Sequence, residues 1–339
     1  MKKETRLAFN KVTEAMAKAY GYEHAGVEFA VDPSIAQKLT DKIVEQSTFL
    51  PRINVMGVDE MAGENIHASV SGPVSGRTDT SQNKRREPKD VLAMQPFRYQ
   101  LYQTNTDVAI RYNKLDAWAK FPDMHNRYRT YVTAQIANDR ELIGWHGTSV
   151  AKDTNIQTNP LLQDVNKGWM QYMRDNLKAN VIAEGATSGE LRIGAGGDYE
   201  GLDEAVTDLL SGIPQFMRRD LVVLIGDDLA LYEKSRLMKA LSLTPTEKNA
   251  SHEAMMSFGG LPWETPSNFP PRGLVVTSLN NLSIYYQEDS WRRHVKEEPE
   301  YDRIADYNSR NEGYLVEEPR KFMALEHENV KLKKGDNWV

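Results

Sequence analysis

The sequence predicts a fold that mixes helices and strands, α/β or α+β, in two or three compact parts, on three observations. Short apolar strands alternate with helices through the second half, one long amphipathic helix lies near the middle, and a strand-flanked stretch from Gly63 to Asp90 has only four apolar residues among 28. The length of 339 residues suits that number of parts, at roughly 100 to 200 residues per domain.

Leu7, Val12, Met16 and Ala19 or Tyr20 recur near helical spacing, so residues 5–20 read as a modest amphipathic helix ended by Gly21. Residues 21–33 read as a linker. Ser34 then reads as the N-cap of a helix that buries Ile35, Leu39, Ile43 and Val44 before Pro51 stops it. Ile66, Ala68 and Val70 alternate with polar residues, as do Phe97, Tyr99 and Leu101, then Val108, Ile110 and Tyr112, which predicts strands with one apolar face. Between them Gly72 to Pro96 is a 25-residue connection, long enough to be either functional or unstructured. An extended hairpin packed on a neighbouring molecule accounts for it, and so does a loose surface loop.

Pro122 and Asp123 open the longest helix, with Met124, Tyr128, Tyr131, Val132, Ile136, Ile143 and Trp145 on one broad face as far as Gly147. At about 1.5 Å per residue it spans roughly 36 Å, long enough to brace a domain. Asn159 and Pro160 start a further helix carrying Leu161, Leu162, Val165, Trp169, Met173 and Leu177. The spacing then predicts a strand at 191–193, a helix at 199–210, a strand at 221–225, a helix at 228–241 and strands at 274–278, 282–286 and 314–317. Five of the 15 prolines fall between Ser242 and Arg272, which marks an irregular excursion.

Composition removes several function classes. No cysteine is present, so thiol catalysis, disulfides, iron-sulfur clusters and cysteine-ligated zinc are excluded together. The longest wholly apolar run, Leu221 to Ile225, falls far short of the roughly 18 residues of a membrane span, and no signal-peptide core follows Met1, so no membrane partner is expected. A net charge of -6 argues against one large basic surface for gripping nucleic acid.

The motifs that imitate active sites have plainer readings. Gly194, Gly196 and Gly197 between a strand and a helix resemble a phosphate cradle, but the third glycine of that pattern is missing and Asp198 puts negative charge where phosphate would sit. A tight turn with Asp198 as N-cap explains them. Gly226, Asp227 and Asp228 fit a strand-to-helix turn whose acidic residues favour the helix dipole, with no second carboxylate cluster to complete a metal site. Gly147, Thr148 and Ser149 follow a helix rather than a strand, so they lack the strained turn of a serine nucleophile. The seven histidines include no helical pair three or four apart. Two basic runs, Lys84-Arg85-Arg86 and Arg292-Arg293-His294, suit solvated faces or a neighbour's carboxylates. No catalytic residue, metal site or cofactor is therefore expected.

Several ordered stretches carry a resemblance. They are Glu87-Pro88-Lys89-Asp90; Ile110-Arg111-Tyr112 with Leu115-Asp116 and Trp118-Ala119; Asn159-Pro160 with Leu162-Gln163-Asp164-Val165 and Gly168-Trp169; Gly196-Gly197-Asp198-Tyr199; Asp220-Leu221-Val222-Val223; and, most clearly, Leu282-Ser283-Ile284-Tyr285-Tyr286, Asp289-Ser290, Arg292-Arg293, Asp302-Arg303, Tyr307, Ser309, Asn311, Tyr314 and Val316-Glu317. Across nearly the whole chain the sequence resembles the major capsid proteins of tailed phages of the Peduovirus group, which have the Hong Kong 97 type capsid fold.

The resemblance implies an N-terminal arm at residues 33–58, an extended β-hairpin loop at 59–108, a peripheral domain with a long spine helix at 109–158 and 311–326, an axial α/β domain at 159–310 and a C-terminal tail at 327–339. It implies a coat protein that assembles with itself into pentamers and hexamers of an icosahedral head, in the host cytoplasm and then in the virion. The expected partners are a scaffold, a prohead protease, a portal protein and packaged double-stranded DNA. Residues 1–32 are expected to contact the scaffold and to be cut within Glu28, Phe29, Ala30, Val31 and Asp32. Candidate inter-subunit contacts are Lys84, Arg85, Arg86, Glu87, Asp90, Arg292, Arg293, Asp302 and Arg303. The alternatives are an encapsulin-like cargo shell of the same fold and an α/β nucleotide-binding enzyme resting on the two glycine-containing turns.

Overall fold

The structure, a computed structural model, describes residues 29–30, 33–70, 92–118, 124–240 and 257–339, with Arg6, Asn10, Glu14, Ser75, Arg77 and Arg85 singly from the remainder. It has two compact units, Met1–Met61 with Leu101–Val339, and Ala62–Gln100.

Arg6, Asn10 and Glu14 are helical, one turn apart and exposed. The larger unit continues with β1 (Phe29–Ala30), α1 (Pro33–Val44) and β2 (Asn54–Val58). The expected linker at 21–33 thus holds a short strand, and Ser34 lies inside α1 instead of capping it, because Pro33 already has a place in the first turn. Leu39 and Ile43 of α1 are buried, as their spacing predicts. The helix ends at Val44, and Pro51 sits in a separate 3-10 turn (Leu50–Arg52). β3 (Ala62–Val70) and β4 (Leu92–Gln100) make the smaller unit.

The chain returns to the larger unit with β5 (Tyr102–Asn105), β6 (Val108–Arg111), α2 (Tyr112–Trp118) and α3 (Met124–His146). Next come α4 (Trp169–Asn176), β7 (Val181–Ile182), β8 (Leu191–Ile193), α5 (Leu202–Gly212), β9 (Val222–Ile225) and α6 (Asp227–Ala240). The last elements are β10 (Trp263–Glu264), β11 (Leu274–Thr277), β12 (Leu282–Gln287), β13 (Arg292–Glu298), β14 (Arg303–Val316), β15 (Met323–Leu325), β16 (Val330–Lys334) and β17 (Asn337–Trp338).

β14 organises one sheet. Over its 14 residues it pairs with β13 and then β12 along one edge, and with β6 and β5 along the other, while β1 extends the sheet beyond β13 and β2 lies parallel to β12. A second sheet runs β10-β9-β11-β15-β7 and a third β17-β16-β8. Between these two sheets and α5 lies the main core: Leu202, Val206 and Leu209 of the helix join Val223, Ile225, Leu274, Val276, Leu325, Val330 and Leu332 from the strands. Each fully buried Leu or Val here contributes about 1.5–3 kcal/mol of transfer free energy. β16 pairs with β8, so the segment after residue 326 contributes to that core.

Helix α3 runs 23 residues, close to its expected extent. Its buried positions, Thr133, Ala137, Arg140, Glu141, Ile143 and Trp145, include a cation and an anion that no apolar pattern reveals. Tyr131, expected on the inner face, is 62% exposed, because it lies on the side of the helix away from Thr133 and Ala137. At its end Trp145 meets Trp169 edge-on with ring centroids 4.7 Å apart, and Phe269 at the same distance; Trp169 also meets Tyr314 and donates its indole N–H to the Ser283 carbonyl at 3.0 Å. Gly144 makes room for this cluster, since a Cβ there would lie 2.4 Å from the Trp169 ring. Gly144→Ala is expected to cost about 1–3 kcal/mol by overpacking, read as a lower urea midpoint with an unchanged slope.

The helix expected from Asn159 starts only at Trp169. Residues 159–168 form turns instead: Leu162 takes a left-handed φ of 59°, and the Gln163 carbonyl accepts from the N–H groups of Thr148 and Ser149.

Candidate assembly surfaces

The smaller unit is a bare ribbon. β3 and β4 pair antiparallel in unbroken register from Ala62 opposite Gln100 to Val70 opposite Leu92, and among the described residues no third strand joins them. Phe97 and Tyr99 are half-buried and Arg98 and Gln100 exposed, which matches the alternation in the sequence. Glu64 and Arg98 face each other across the ribbon at 2.9 Å, an exposed pair worth at most about 1 kcal/mol. Pro96, opposite Ile66, has no N–H to give, which confines its strand to an edge. An isolated two-stranded ribbon is marginal in water and offers two open edges, so this unit suits cover by another molecule. Arg85 is exposed, while Lys84, Arg86, Glu87 and Asp90 lie outside the described residues.

The β13–β14 hairpin holds the second group of candidates, and most are occupied at home. Arg293 donates to both carboxylate oxygens of Asp306, at 2.9 and 2.6 Å. Arg303 donates to Glu298 at 2.6 Å, and Glu298 also accepts from the Tyr307 hydroxyl; the Tyr307 bond first, and Arg303 second, hold this carboxyl below its ordinary range. Asp302 turns the hairpin with a left-handed φ of 49°. Arg293 and Arg303 are thus each held in an intramolecular ion pair, because cross-strand carboxylates lie within reach. Arg292 is exposed and has no ion pair among the described residues. It borders an open groove of about 400 Å³ with Gln103, Asn105, Asp107, His294 and Tyr307. Phe29 and Ala30 pair with Arg293 and Arg292 as β1, whereas Glu28, Val31 and Asp32 lie outside the described residues.

Behind this hairpin is an ionic junction that sequence reasoning missed. Arg140 of α3 donates to both oxygens of Glu312 on β14, and Arg310 lies 3.9 Å from the same carboxylate. All three side chains are 6–7% exposed. Arg310 also donates to the Thr40 hydroxyl of α1 at 2.8 Å and lies over the rings of Tyr286 and Trp291, at 3.6 and 4.7 Å. Burial pulls its guanidinium down to about 10. For Arg140 burial works in the same direction, but Glu312 outweighs it and the guanidinium is raised. The junction therefore ties α1, α3, β12 and β14 together. Its signal in the sequence is polar: Asp306, Asn308, Arg310 and Glu312 recur with period two and are all buried on one strand.

The motifs that imitate active sites are structural turns. Asp198 does not cap α5, which begins at Leu202 behind Gly201; its carboxylate accepts the N–H groups of Ala186 at 2.7 Å and Arg192 at 2.8 Å, holding two turns together. Gly194 and Gly196 supply the positive φ angles of that loop. Asp227 and Asp228 stand in the first turn of α6, with Arg272 3.9 Å from Asp228. Among the described residues no group of three or more His, Asp or Glu is placed to hold a metal, and no helix is long and apolar enough to cross a membrane. His146 and His327 meet edge-on at 6.4 Å, and burial lowers both below the usual imidazole range.

Residues 8–328 match the family described as phage major capsid protein, P2 family. The chain is 36% identical to the capsid protein of Escherichia phage P2 over 349 aligned positions, covering 99% of this chain and 96% of that protein. It is 33% identical to the major capsid protein of Serratia phage KSP20, covering 94% of each. Among solved structures, the satellite phage P4 procapsid that includes the size determination protein matches with a TM-score of 0.77 at 33% identity, over 98% of this chain and 99% of that one.

Proposed function

The chain belongs to the P2 family of phage major capsid proteins, a structural and non-enzymatic family with the Hong Kong 97 type fold that forms icosahedral heads, and from that premise we propose how it builds one. The β3–β4 ribbon is the arm that each subunit lays on its neighbour. The observation that carries this is that, among the described residues, no third strand joins the ribbon. Cover by an adjacent copy satisfies its edges and buries Phe97 and Tyr99, and repeated head-to-tail contacts of that kind close rings of five and six.

The remaining parts follow the expected plan. Residues 33–58 act as the N-terminal arm, 59–108 as the extended loop, 109–158 with 311–326 as the peripheral domain braced by α3, and 159–310 as the axial domain, which gains β16 from the segment at 327–339. Lys84, Arg85, Arg86, Glu87 and Asp90, which fall between β3 and β4 in the sequence, and Arg292, Arg293, Asp302 and Arg303 of the β13–β14 hairpin are the contact groups we assign to subunit boundaries. Assembly takes place in the host cytoplasm on a scaffold that binds residues 1–32, followed by prohead protease cleavage within Glu28 to Asp32. A portal protein fills one vertex, and packaged double-stranded DNA is held by non-specific contact, in keeping with the net charge of -6.

Co-expression of the full chain with its prophage's scaffold and protease tests this plan. Electron microscopy is expected to show closed shells, and intact-mass spectrometry a coat chain cut between residues 28 and 32. Intact Met1 in mature shells removes the processing step. Small discrete oligomers under every assembly condition remove the assembly plan.

A further inference from the structure

The junction of Arg140, Arg310 and Glu312 encloses a small cavity of about 20 Å³, lined also by Ile43, Thr104, Thr106, Ile136, Trp291 and Ser309. That volume holds one particle the size of a water molecule. Three of the lining residues carry a buried polar atom without a hydrogen-bond partner: Arg140 Nη1, Arg310 Nε and Thr104 Oγ1. The two guanidinium nitrogens can only donate, and the hydroxyl can rotate to do so. Their charges do not balance, because two buried guanidiniums share the single carboxylate of Glu312. Leaving such donors unpaired away from water carries the full desolvation penalty of each group, larger when the group is charged.

We propose that this cavity is the binding site of one small monovalent anion of halide size, with chloride as the physiological ligand. An acceptor-only ion satisfies the orphaned donors and cancels the excess positive charge at once. A water molecule can accept from two donors, but it leaves the charge uncancelled and brings two protons of its own to a wall already rich in donors. Ile43, Ile136 and Trp291 supply the apolar part of the lining, and the burial of both guanidiniums strengthens the ion's attraction to them. The anion then joins α1, β5, α3 and β14 and acts as a structural ligand of the coat fold, stabilising it by ordinary linkage.

The test is thermal melting of the full-length chain at fixed ionic strength as sodium gluconate is exchanged for sodium chloride or bromide. Expected is a saturating rise in melting temperature of roughly 2–4 °C with either halide. Thr104→Val keeps the volume and removes one neutral donor, so it is expected to shift half-saturation about fivefold to higher chloride, the ratio that corresponds to about 1 kcal/mol. A response that does not saturate, or one that is identical in Thr104→Val, overturns the proposal and leaves the cavity to water. So does a melting temperature indifferent to the anion.

Discussion

Glu312→Gln is expected to abolish soluble coat protein at growth temperature. The substitution keeps the shape of the side chain but removes the carboxylate that Arg140 and Arg310 share, while their guanidiniums stay buried at 6% exposure. Breaking a buried pair by removing one partner costs about 3–5 kcal/mol, a large part of a total stability of about 5–15 kcal/mol. The measurement is the urea midpoint of the refolded chain, or the soluble fraction where the midpoint falls too low to read. Replacing all three groups together, as Arg140→Met, Arg310→Met and Glu312→Leu, is expected to recover most of the loss, because no uncompensated charge remains. A Glu312→Gln chain as stable as the parent shows that the junction is not the tie between α1, α3 and β14.

The second large effect concerns assembly, with stability left in place. Met61 and Leu101 are joined by a 2.8 Å hydrogen bond from the Leu101 N–H to the Met61 carbonyl, so the neck of the ribbon is closed at its base. The described residues of the main core lie between Ile182 and Leu332. Replacing residues 62–100 by a short glycine turn is therefore expected to leave the melting temperature of the larger unit within about 2 °C of the parent's while closed shells disappear from sedimentation profiles. A milder variant separates the ribbon's charge from its length. Reversing Lys84, Arg85 and Arg86 to Glu is expected to raise the concentration needed for assembly at least tenfold at low salt, about 1.4 kcal/mol per contact, and less at high salt. Shell formation unaffected by either change removes the ribbon from the assembly interface.

How much of this was legible in the sequence depended on whether the decisive residues were apolar. The alternation around Ile66 and Phe97 marked the ribbon's two strands, and the run from Met124 to His146 marked α3, because each has a period that only one kind of element satisfies. β8, α5, β9, α6 and β11 of the main core lie within a few residues of their expected places for the same reason, whereas β15 and β16, which also line that core, have no counterpart among the expected elements. β14 was seen only at its end, Tyr314 to Glu317. Its earlier inward positions carry Asp306, Asn308, Arg310 and Glu312, whose burial is made tolerable by partners such as Arg293 and Arg140 that are remote in sequence. Helical spacing overran in the opposite sense at Leu161, Leu162 and Val165, where the chain needs a left-handed turn at Leu162 to bring the Gln163 carbonyl to Thr148 and Ser149. Arg293 and Arg303, two of the contact candidates, are also paired within the hairpin with Asp306 and Glu298, carboxylates that no pattern of basic residues reveals.

The parallel seat of β2 beside β12 also sets a clock. Ser283 follows Asn54, its register partner, by 229 residues, so β2 emerges from the ribosome long before the strand it needs. At roughly 5–20 residues per second the wait is on the order of 10–50 s. During that interval the edge of β2 is unpaired, and many copies of the same edge stand close together on one message. Slower translation between β2 and β12 is therefore expected to lower the yield of soluble chain by lengthening that exposure, before any two finished subunits meet.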